Sequence, residues 1–165
     1  MAPSSAVLIA DAPAAPAPIE PAAARTLILE SPVGPLRLRS DGSALIELSF
    51  WRDGPTVAGS APDAILRQAA DELDAYFQRK LRSFTTPLAF PRGSDFRRRV
   101  WDALLRIPYG CTRSYADIAR EIGQPTAMRA VGAANGANPI AIMAPCHRVI
   151  GAKGALVGFG GGLDS

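Results

Sequence analysis

Two short helix-forming segments separated by a tight turn constrain the fold of this chain more than any other feature. The first segment opens at Ser114, where Asp117 follows three positions after the hydroxyl, the spacing of a helix-capping box. Gly123 ends this segment, and Pro125 starts a second helix over about 126–135. A helix, a tight glycine turn and a helix form the helix-turn-helix pattern, whose second helix enters the major groove in DNA-binding proteins.

The second predicted helix carries almost only small side chains. Residues 130–137 read Ala-Val-Gly-Ala-Ala-Asn-Gly-Ala, which leaves Arg129 and Asn135 as the polar members of its exposed face. Such a face can approach DNA closely but reads little sequence, because base recognition in the major groove uses Arg, Asn, Gln or Lys. Small residues equally permit close packing of two helices, so a helix contact without nucleic acid stays an alternative.

The positive charge of the chain lies in its C-terminal half. Residues 91–165 hold ten basic and five acidic side chains, whereas the whole chain has a formal net charge of only +3. A basic half indicates a polyanionic partner. A solvated surface would give the same count, so charge alone does not decide between the two interpretations.

Composition excludes several classes of protein. No run of 18 apolar residues occurs, so no membrane span is expected. Two Cys and one His are too few for a disulfide-dense scaffold or a zinc site with four Cys and His ligands. We therefore predict no metal site.

The N-terminal half divides into a tail and a sheet-and-helix domain. Residues 1–24 are dominated by Ala and Pro, which predicts a flexible tail. This tail lacks a convincing secretory signal, so the cytoplasm is the expected compartment, where both Cys stay reduced. Residues 25–90 form the next predicted domain, and 26–51 have the alternation of three antiparallel strands with a hairpin at Asp41-Gly42.

A helix and a linker complete that domain and lead to the basic one. The predicted helix spans 62–81, with Pro62 in its first turn and an apolar face formed by Leu66, Ala70, Leu73 and Phe77. Residues 82–93 contain two Pro and one Gly and predict a linker. Ser94 is the expected N-cap of the first helix of the C-terminal domain, residues 91–165.

The most specific stretch is Pro145-Cys146-His147-Arg148-Val149-Ile150. A thiol beside cationic side chains is expected to have a lowered pKa, and the thiolate is the nucleophilic form. Neighbouring side chains diverge, so we expect His147 to reach the thiol through a bridging water rather than directly. Cys111 has no such setting and is interpreted as structural.

A glycine-rich loop, Gly158-Phe159-Gly160-Gly161-Gly162, follows this stretch. It lacks the Lys-Ser/Thr ending of a phosphate-binding loop and the third glycine of a dinucleotide-binding loop. A loop without side chains can present backbone N–H groups to a planar ligand at close range.

The sequence from Pro145 to Val149 resembles the active-site signature of the methylated-DNA–protein-cysteine methyltransferases, the O6-alkylguanine-DNA alkyltransferases. The resemblance covers about residues 26–165 and includes further matching motifs in the same order, namely Phe96-x4-Trp101, Ile107-Pro108-Tyr109-Gly110, Ser114-Tyr115, Arg129-Ala130-Val131-Gly132, Asn138-Pro139 and Gly161-Gly162-Leu163. It implies an α/β (α+β) fold, with a ribonuclease H-like N-terminal domain and a mainly helical, winged helix-turn-helix C-terminal domain.

The resemblance implies a single-turnover DNA repair reaction without a cofactor. Cys146 would take the alkyl group from O6 of a flipped-out guanine, and O4-alkylthymine is an open alternative substrate. His147 would deprotonate the thiol through a water, and Tyr115 would hydrogen-bond N3 of the guanine. Asn138 would brace the helix and the active-site loop.

The resemblance also implies contacts with DNA and with the base. Arg129 would fill the gap left by the flipped nucleotide, and the other DNA-binding residues would be Tyr115, Ala130, Gly132, Ala133 and Asn135. The carbonyls of Cys146 and Val149 would accept from the guanine amino group, Phe159 would wall the pocket, and the Gly160 N–H would face O6. The expected partner is double-stranded DNA carrying O6-alkylguanine, bound by a monomer.

The sequence departs from the family pattern after Gly162. In that family a helix with a Glu that orients the His follows Gly-Gly-Leu, whereas this sequence ends at Ser165. We therefore expect a truncated sequence with weakened activity and stability. A non-catalytic protein that binds alkylated DNA stays an alternative, although Cys146 argues against it. A helix-turn-helix transcription regulator is a third, although its second helix carries little for sequence readout.

Overall fold

The fold is described by a computed structural model, which covers residues 24–52, 54, 61–151 and 154. The N-terminal part contains β1 (Arg25–Leu29), β2 (Leu36–Ser40), β3 (Leu45–Phe50) and α1 (Ala64–Phe77). The C-terminal part contains α2 (Asp95–Leu105), β4 (Arg113–Ser114), α3 (Tyr115–Glu121), α4 (Met128–Gly136), a 3-10 turn (Cys146–Arg148) and β5 (Val149–Ile150). This mixed fold confirms the predicted class.

The predicted three-stranded antiparallel sheet is confirmed. Its strands lie in the order β1-β2-β3, and both neighbouring pairs are antiparallel. The face that packs against α1 is mainly apolar, because the period-two alternation of β2 directs Leu36 and Leu38 to one side, with the buried Ser40 at its end. Its buried core consists of Leu36, Leu38, Leu45 and Leu48 from the sheet, Leu66, Ala69 and Leu73 from α1, and Ile140, Met143 and Ala144 from the C-terminal part.

Helix α1 is shorter than the predicted span 62–81. It begins at Ala64 because Asp63 is the N-cap and accepts from the Leu66 N–H at 2.8 Å, so Pro62 precedes the helix. It ends at Phe77 because Arg79 takes a left-handed φ of 60°, which lets the Lys80 N–H bond the Ala75 carbonyl in a Schellman-type cap.

The predicted linker is attached to both layers of the N-terminal part. The Glu72 carboxylate on α1 accepts from the Thr86 N–H at 3.1 Å and the Thr86 hydroxyl at 2.8 Å. These and similar bonds from Thr85 hold the pKa of Glu72 below its usual range against the opposing effect of burial. The Leu45 N–H donates to the Pro87 carbonyl, and the Ala89 N–H donates back to Leu45, so the segment extends the sheet beside β3.

Helices α2, α3 and α4 pack around a second apolar core. Ser94 caps α2, and Ser114 with Asp117 forms the predicted capping box of α3. The Trp101 Nε1–H donates to the Ala134 carbonyl at 2.8 Å, which fixes α2 on α4. Gly93 makes room for this indole, because a Cβ there would lie 2.7 Å from the Trp101 ring. In the described part of the chain, no helix combines the length and apolar character that a bilayer span requires.

Candidate active site

Helices α3 and α4 form the predicted helix-turn-helix. Gly123 ends α3 with a left-handed φ of 74°, and the Ala127 N–H bonds the Gln124 carbonyl in the turn. Helix α4 therefore begins at Met128, two residues later than predicted. Its exposed face includes Arg129, Ala130 and Ala133, so the structure places these three predicted DNA-contacting residues on one solvent-facing surface.

Gly132 lies on the half-buried side of α4, against Tyr115 at the start of α3. A Cβ on Gly132 would lie 3.8 Å from the Tyr115 ring. The Tyr115 ring therefore lies beside the small residues of α4. Burial raises the pKa of the Tyr115 phenol and the nearby Cys146 thiol also raises it, while a hydrogen bond with Asn135 opposes the rise. The phenol is consequently a protonated donor at neutral pH.

The interpretation of Asn135 as a polar member of the exposed face is wrong. Its side chain is only 6% exposed, and its Nδ2 donates to the Cys146 carbonyl at 3.3 Å. The physical reason is helical spacing: Asn135 follows the buried Val131 by four residues and therefore faces the interior with it. The signal for this inward orientation was present in the sequence, in the apolar residue one turn earlier.

The Asn138 side chain hydrogen-bonds within the segment that leads to the thiol. Its Oδ1 accepts from the Ile140 N–H at 3.0 Å, and its Nδ2 donates to the Ala144 carbonyl at 2.7 Å and the Ile140 carbonyl at 3.2 Å. The Leu48 N–H bonds the Pro139 carbonyl, and the Ala141 N–H returns to Leu48, so β3 also supports this segment.

Two tight turns bring the segment to Cys146. The first is centred on Ile142, a β-branched residue with φ 66°, where the Met143 N–H bonds the Ala141 carbonyl at 2.7 Å. This left-handed conformation is strained for such a side chain. The second is an inverse γ-turn at Pro145, with φ −79° and ψ 69°, in which the Cys146 N–H bonds the Ala144 carbonyl.

The Cys146 carbonyl accepts two hydrogen bonds. The Val149 N–H bonds it and closes the 3-10 turn, and the Asn135 amide supplies the second donor. A carbonyl oxygen has two lone pairs, so both are used in the free protein. A guanine amino group that approached this oxygen, as the resemblance implies, would have to share it with Asn135. Val149 is 2% exposed and belongs to the second core.

The expectation of a lowered thiol pKa is wrong. Burial raises the pKa of the Cys146 thiol, although the nearby Asn138 amide and main-chain amides oppose the rise. Arg148 does not counter this burial, because its Nη1 donates to the Ile107 carbonyl at 2.8 Å and its guanidinium stacks on the Tyr109 ring. Burial, and then the charge of Arg148, lower the pKa of His147. The pair therefore rests as a neutral thiol beside a neutral imidazole.

The remaining predicted site residues are placed as follows. Phe159 and Gly160, with the Gly161-Gly162-Leu163 motif, lie outside the described residues. Cys111 is exposed in the turn after α2 rather than packed in a core, because its N–H closes a turn onto Pro108 at the surface. The described residues hold no group of three or more His, Cys, Asp or Glu side chains that could bind a metal.

Comparison with known proteins matches both halves of the chain. The sequence model described as "6-O-methylguanine DNA methyltransferase, ribonuclease-like domain" matches residues 25–90. The model of the DNA binding domain of the same methyltransferase matches residues 95–165. The first match ends at residue 90, within the segment 82–93 predicted as a linker, and the second begins at Asp95, the first residue of α2.

Curated proteins and solved structures agree with these matches. The chain is 52% identical over 139 residues to a methylated-DNA–protein-cysteine methyltransferase of Mycobacterium tuberculosis, a match covering 82% of this chain and 84% of the relative. It is 48% identical to the protein of the same name from Methanosarcina acetivorans, covering 83% and 90%.

The crystal structure of the M. tuberculosis O6-methylguanine methyltransferase superposes with a TM-score of 0.76 at 49% identity, covering 86% of this chain and 87% of that one. The M. tuberculosis protein in complex with DNA superposes with a TM-score of 0.73 at 51% identity, covering 84% of each chain. Because both family models, these relatives and these structures match most of its length, the chain belongs to the methylated-DNA–protein-cysteine methyltransferase family.

Proposed function

We propose that this chain repairs alkylated DNA by moving the alkyl group from O6 of guanine directly to Cys146. The observation that carries the proposal is the position of one half-buried thiol. It lies on a turn bonded to the inner side of α4, the helix whose exposed outer side carries the small side chains of Ala130 and Ala133 beside Arg129. A helix of this kind can lie against DNA at any sequence, as a repair protein must.

The chemistry is a displacement at the alkyl carbon. The bond from Cys146 sulfur to this carbon forms while the bond from the carbon to O6 breaks, and the electron pair of the broken bond stays on O6. His147, neutral at physiological pH because its pKa is lowered, takes the thiol proton through a water. The raised pKa of the Cys146 thiol makes such a base necessary. The product is a thioether, so each protein molecule acts once.

Tyr115 supplies the proton that the leaving base needs. Its phenol keeps its proton at neutral pH because its pKa is raised. Donation to N3 lets the base leave as neutral guanine, and the proton taken by His147 returns to the phenolate. In this proposal Val149, Phe159 and Gly160 bound the base pocket.

The substrate base must leave the duplex, since its O6 is out of reach inside the stack. Arg129 is exposed on α4 and is proposed to fill the gap that the flipped nucleotide leaves. Ala130 and Ala133 lie on the same exposed face, and Gly132 lies beside Tyr115, so the small residues allow close approach to the duplex. The basic C-terminal half supplies attraction to phosphate.

We further propose that the protein acts as a monomer in the cytoplasm. Few large apolar side chains are exposed in the described residues, namely Leu105, Tyr109 and Met128. Both cysteines are free, which suits a reducing compartment. Size-exclusion chromatography with light scattering, with and without duplex DNA, measures the molar mass in solution and so tests the monomeric state.

The experiment that tests the function is a single-turnover assay on duplexes carrying one O6-methylguanine. We expect the amount of lesion removed to equal the amount of active protein and then to stop. Cys146→Ser should abolish removal, and Cys111→Ser, a matched loss of the exposed thiol, should leave it unchanged. Removal by the Cys146→Ser variant, or continued turnover, would contradict the proposal. A parallel duplex with O4-methylthymine decides whether that base is also a substrate.

A further inference from the structure

Asn135 lies buried between the helix-turn-helix and the active-site turn, and its amide is only half used. The side chain is 6% exposed and its Nδ2 donates to the Cys146 carbonyl. Its Oδ1 is buried and has no hydrogen-bond partner among the described residues. A buried amide that keeps a polar atom unpaired does not serve packing, because an apolar side chain of similar size would pack there at lower cost.

We propose that Asn135 is a positioning residue for the alkyl transfer, whose amide holds the Cys146 carbonyl and thereby aims the Cys146 thiol. The inference rests on the proposed function for the reaction itself. It assigns Asn135 to the interior of the active site, whereas the sequence analysis expected Asn135 to contact DNA.

The turn that carries Cys146 needs such support. It spans three residues, Cys146–Arg148, and the Val149 N–H supplies its closing bond to the Cys146 carbonyl. A 3-10 turn has poorer hydrogen-bond geometry than an α-helix and is readily deformed. The Asn135 amide is the second donor to the same oxygen, so it restrains the residue that bears the nucleophile.

The backbone of α4 next to Asn135 is fixed by a hydrogen bond from α2. Asn135 follows Ala134, whose carbonyl accepts the Trp101 Nε1–H at 2.8 Å, and Trp101 is 2% exposed in the second core. The backbone from which the amide projects is therefore fixed by α2. Two hydrogen bonds thus link the second core to the active-site turn through α4, the helix proposed to contact DNA. One joins Trp101 to Ala134, and the other joins Asn135 to the Cys146 carbonyl.

The same amide also contacts the second reacting group. Asn135 hydrogen-bonds with Tyr115, whose ring lies against Gly132 on the preceding turn of α4. Asn135 therefore lies between the group proposed to attack the alkyl carbon and the group proposed to protonate the base. A displacement that needs sulfur, carbon and oxygen in line depends strongly on such placement.

The first arm of the test separates positioning from DNA binding. Asn135→Leu removes the amide at similar volume, Asn135→Asp replaces the donor with an acceptor that repels the carbonyl, and Asn135→Gln keeps an amide. We expect the methyl-transfer rate at saturating DNA to fall about tenfold in Asn135→Leu, further in Asn135→Asp, and less in Asn135→Gln. The Kd for an unalkylated duplex should stay within about twofold, whereas Arg129→Ala should weaken it.

The second arm of the test measures the stability of the Cys146–Arg148 turn in the absence of the transfer reaction. Hydrogen exchange of the Val149 amide reports the bond to the Cys146 carbonyl, and it should be about tenfold faster in Asn135→Leu. Exchange of the Leu73 amide on α1 is the internal control and should not change. Faster Val149 exchange together with no transfer by the unmutated chain would contradict the proposed function but support the positioning of the turn.

Two results would overturn the inference. One is an unchanged saturating rate with unchanged Val149 exchange in both Asn135→Leu and Asn135→Asp. The other is an unchanged rate with weakened duplex binding in the same variants, which would return Asn135 to the DNA-contacting residues.

Discussion

Replacing Asn138 with Leu tests whether its side chain holds the segment that leads to Cys146. The substitution removes three hydrogen bonds, at 3.0 Å from the Ile140 N–H and at 2.7 and 3.2 Å to the Ala144 and Ile140 carbonyls. Each bond contributes about 1 kcal/mol, so the free energy of unfolding should fall by about 3 kcal/mol. This is a large fraction of the roughly 5–15 kcal/mol that stabilises a domain.

The assay is urea unfolding of both proteins, followed by circular dichroism, with a thermal scan in parallel. For a chain of this size, the loss corresponds to a Tm lower by about 6–12 °C. The matched control is Gln78→Leu, which also replaces an amide but removes one exposed bond to Asp74. That variant should change the free energy of unfolding by less than about 0.5 kcal/mol. If Asn138→Leu were as stable as the control, the proposed bracing role would be refuted.

Two further predictions concern pH. Because the pKa of His147 is lowered from its ordinary 6.5, the base is neutral at pH 7. The methyl-transfer rate should therefore be the same at pH 8 and pH 7, and it should decrease only below pH 6.5. A stopped-flow pH series tests this, and a rate that falls between pH 8 and 7 would contradict it. The pKa of Asp117 is lowered from 3.8 to about 2 by its capping-box hydrogen bonds, so its ionised form stabilises the fold above pH 3.8. Asp117→Ala removes the carboxylate that accepts from the Ser114 N–H and hydroxyl, and it should cost about 1 kcal/mol at neutral pH. This difference should shrink as the pH falls from 3.8 towards 2, and urea unfolding at pH 7 and pH 2 tests it.

Local sequence patterns predicted most of the architecture. The strands, the Ser94 cap and the capping box at Ser114 follow from signals within a few residues of each position, so they are readable without tertiary contacts. The ends of α1 were less predictable. Pro62 suits a first-turn position, but the start is set by the Asp63 carboxylate, which accepts from the free Leu66 N–H. At the other end, the left-handed Arg79 carries no glycine signal.

The electrostatics of the site could not be read from neighbours in sequence. Arg148 follows Cys146 by two residues, but it bonds the carbonyl of Ile107, which is 41 positions away in the chain. Burial then decides the pKa of the thiol, and burial is a property of the packed fold. The strained turn at Ile142 was equally hidden, because a β-branched residue does not indicate a left-handed backbone.

Asn135 was a different case, since its inward orientation was readable. Val131 and Asn135 share one side of α4 at a spacing of four residues, and the apolar partner marks that side as buried. Polarity alone suggested the exposed face. The four-residue spacing from Val131 predicted the orientation of Asn135 better than its polarity did. An amide is readily buried where a main-chain carbonyl accepts a hydrogen bond from it.

The central claim is that one thiol of this chain receives the alkyl group from DNA. The most direct measurement is mass spectrometry of the intact protein and its peptides after incubation with a duplex carrying O6-methylguanine. The account predicts a mass gain of one methyl group, located on the peptide that contains Cys146, and none on the peptide that contains Cys111. Tight binding of the methylated duplex with no mass gain would contradict the claim and identify a protein that binds the lesion without repairing it.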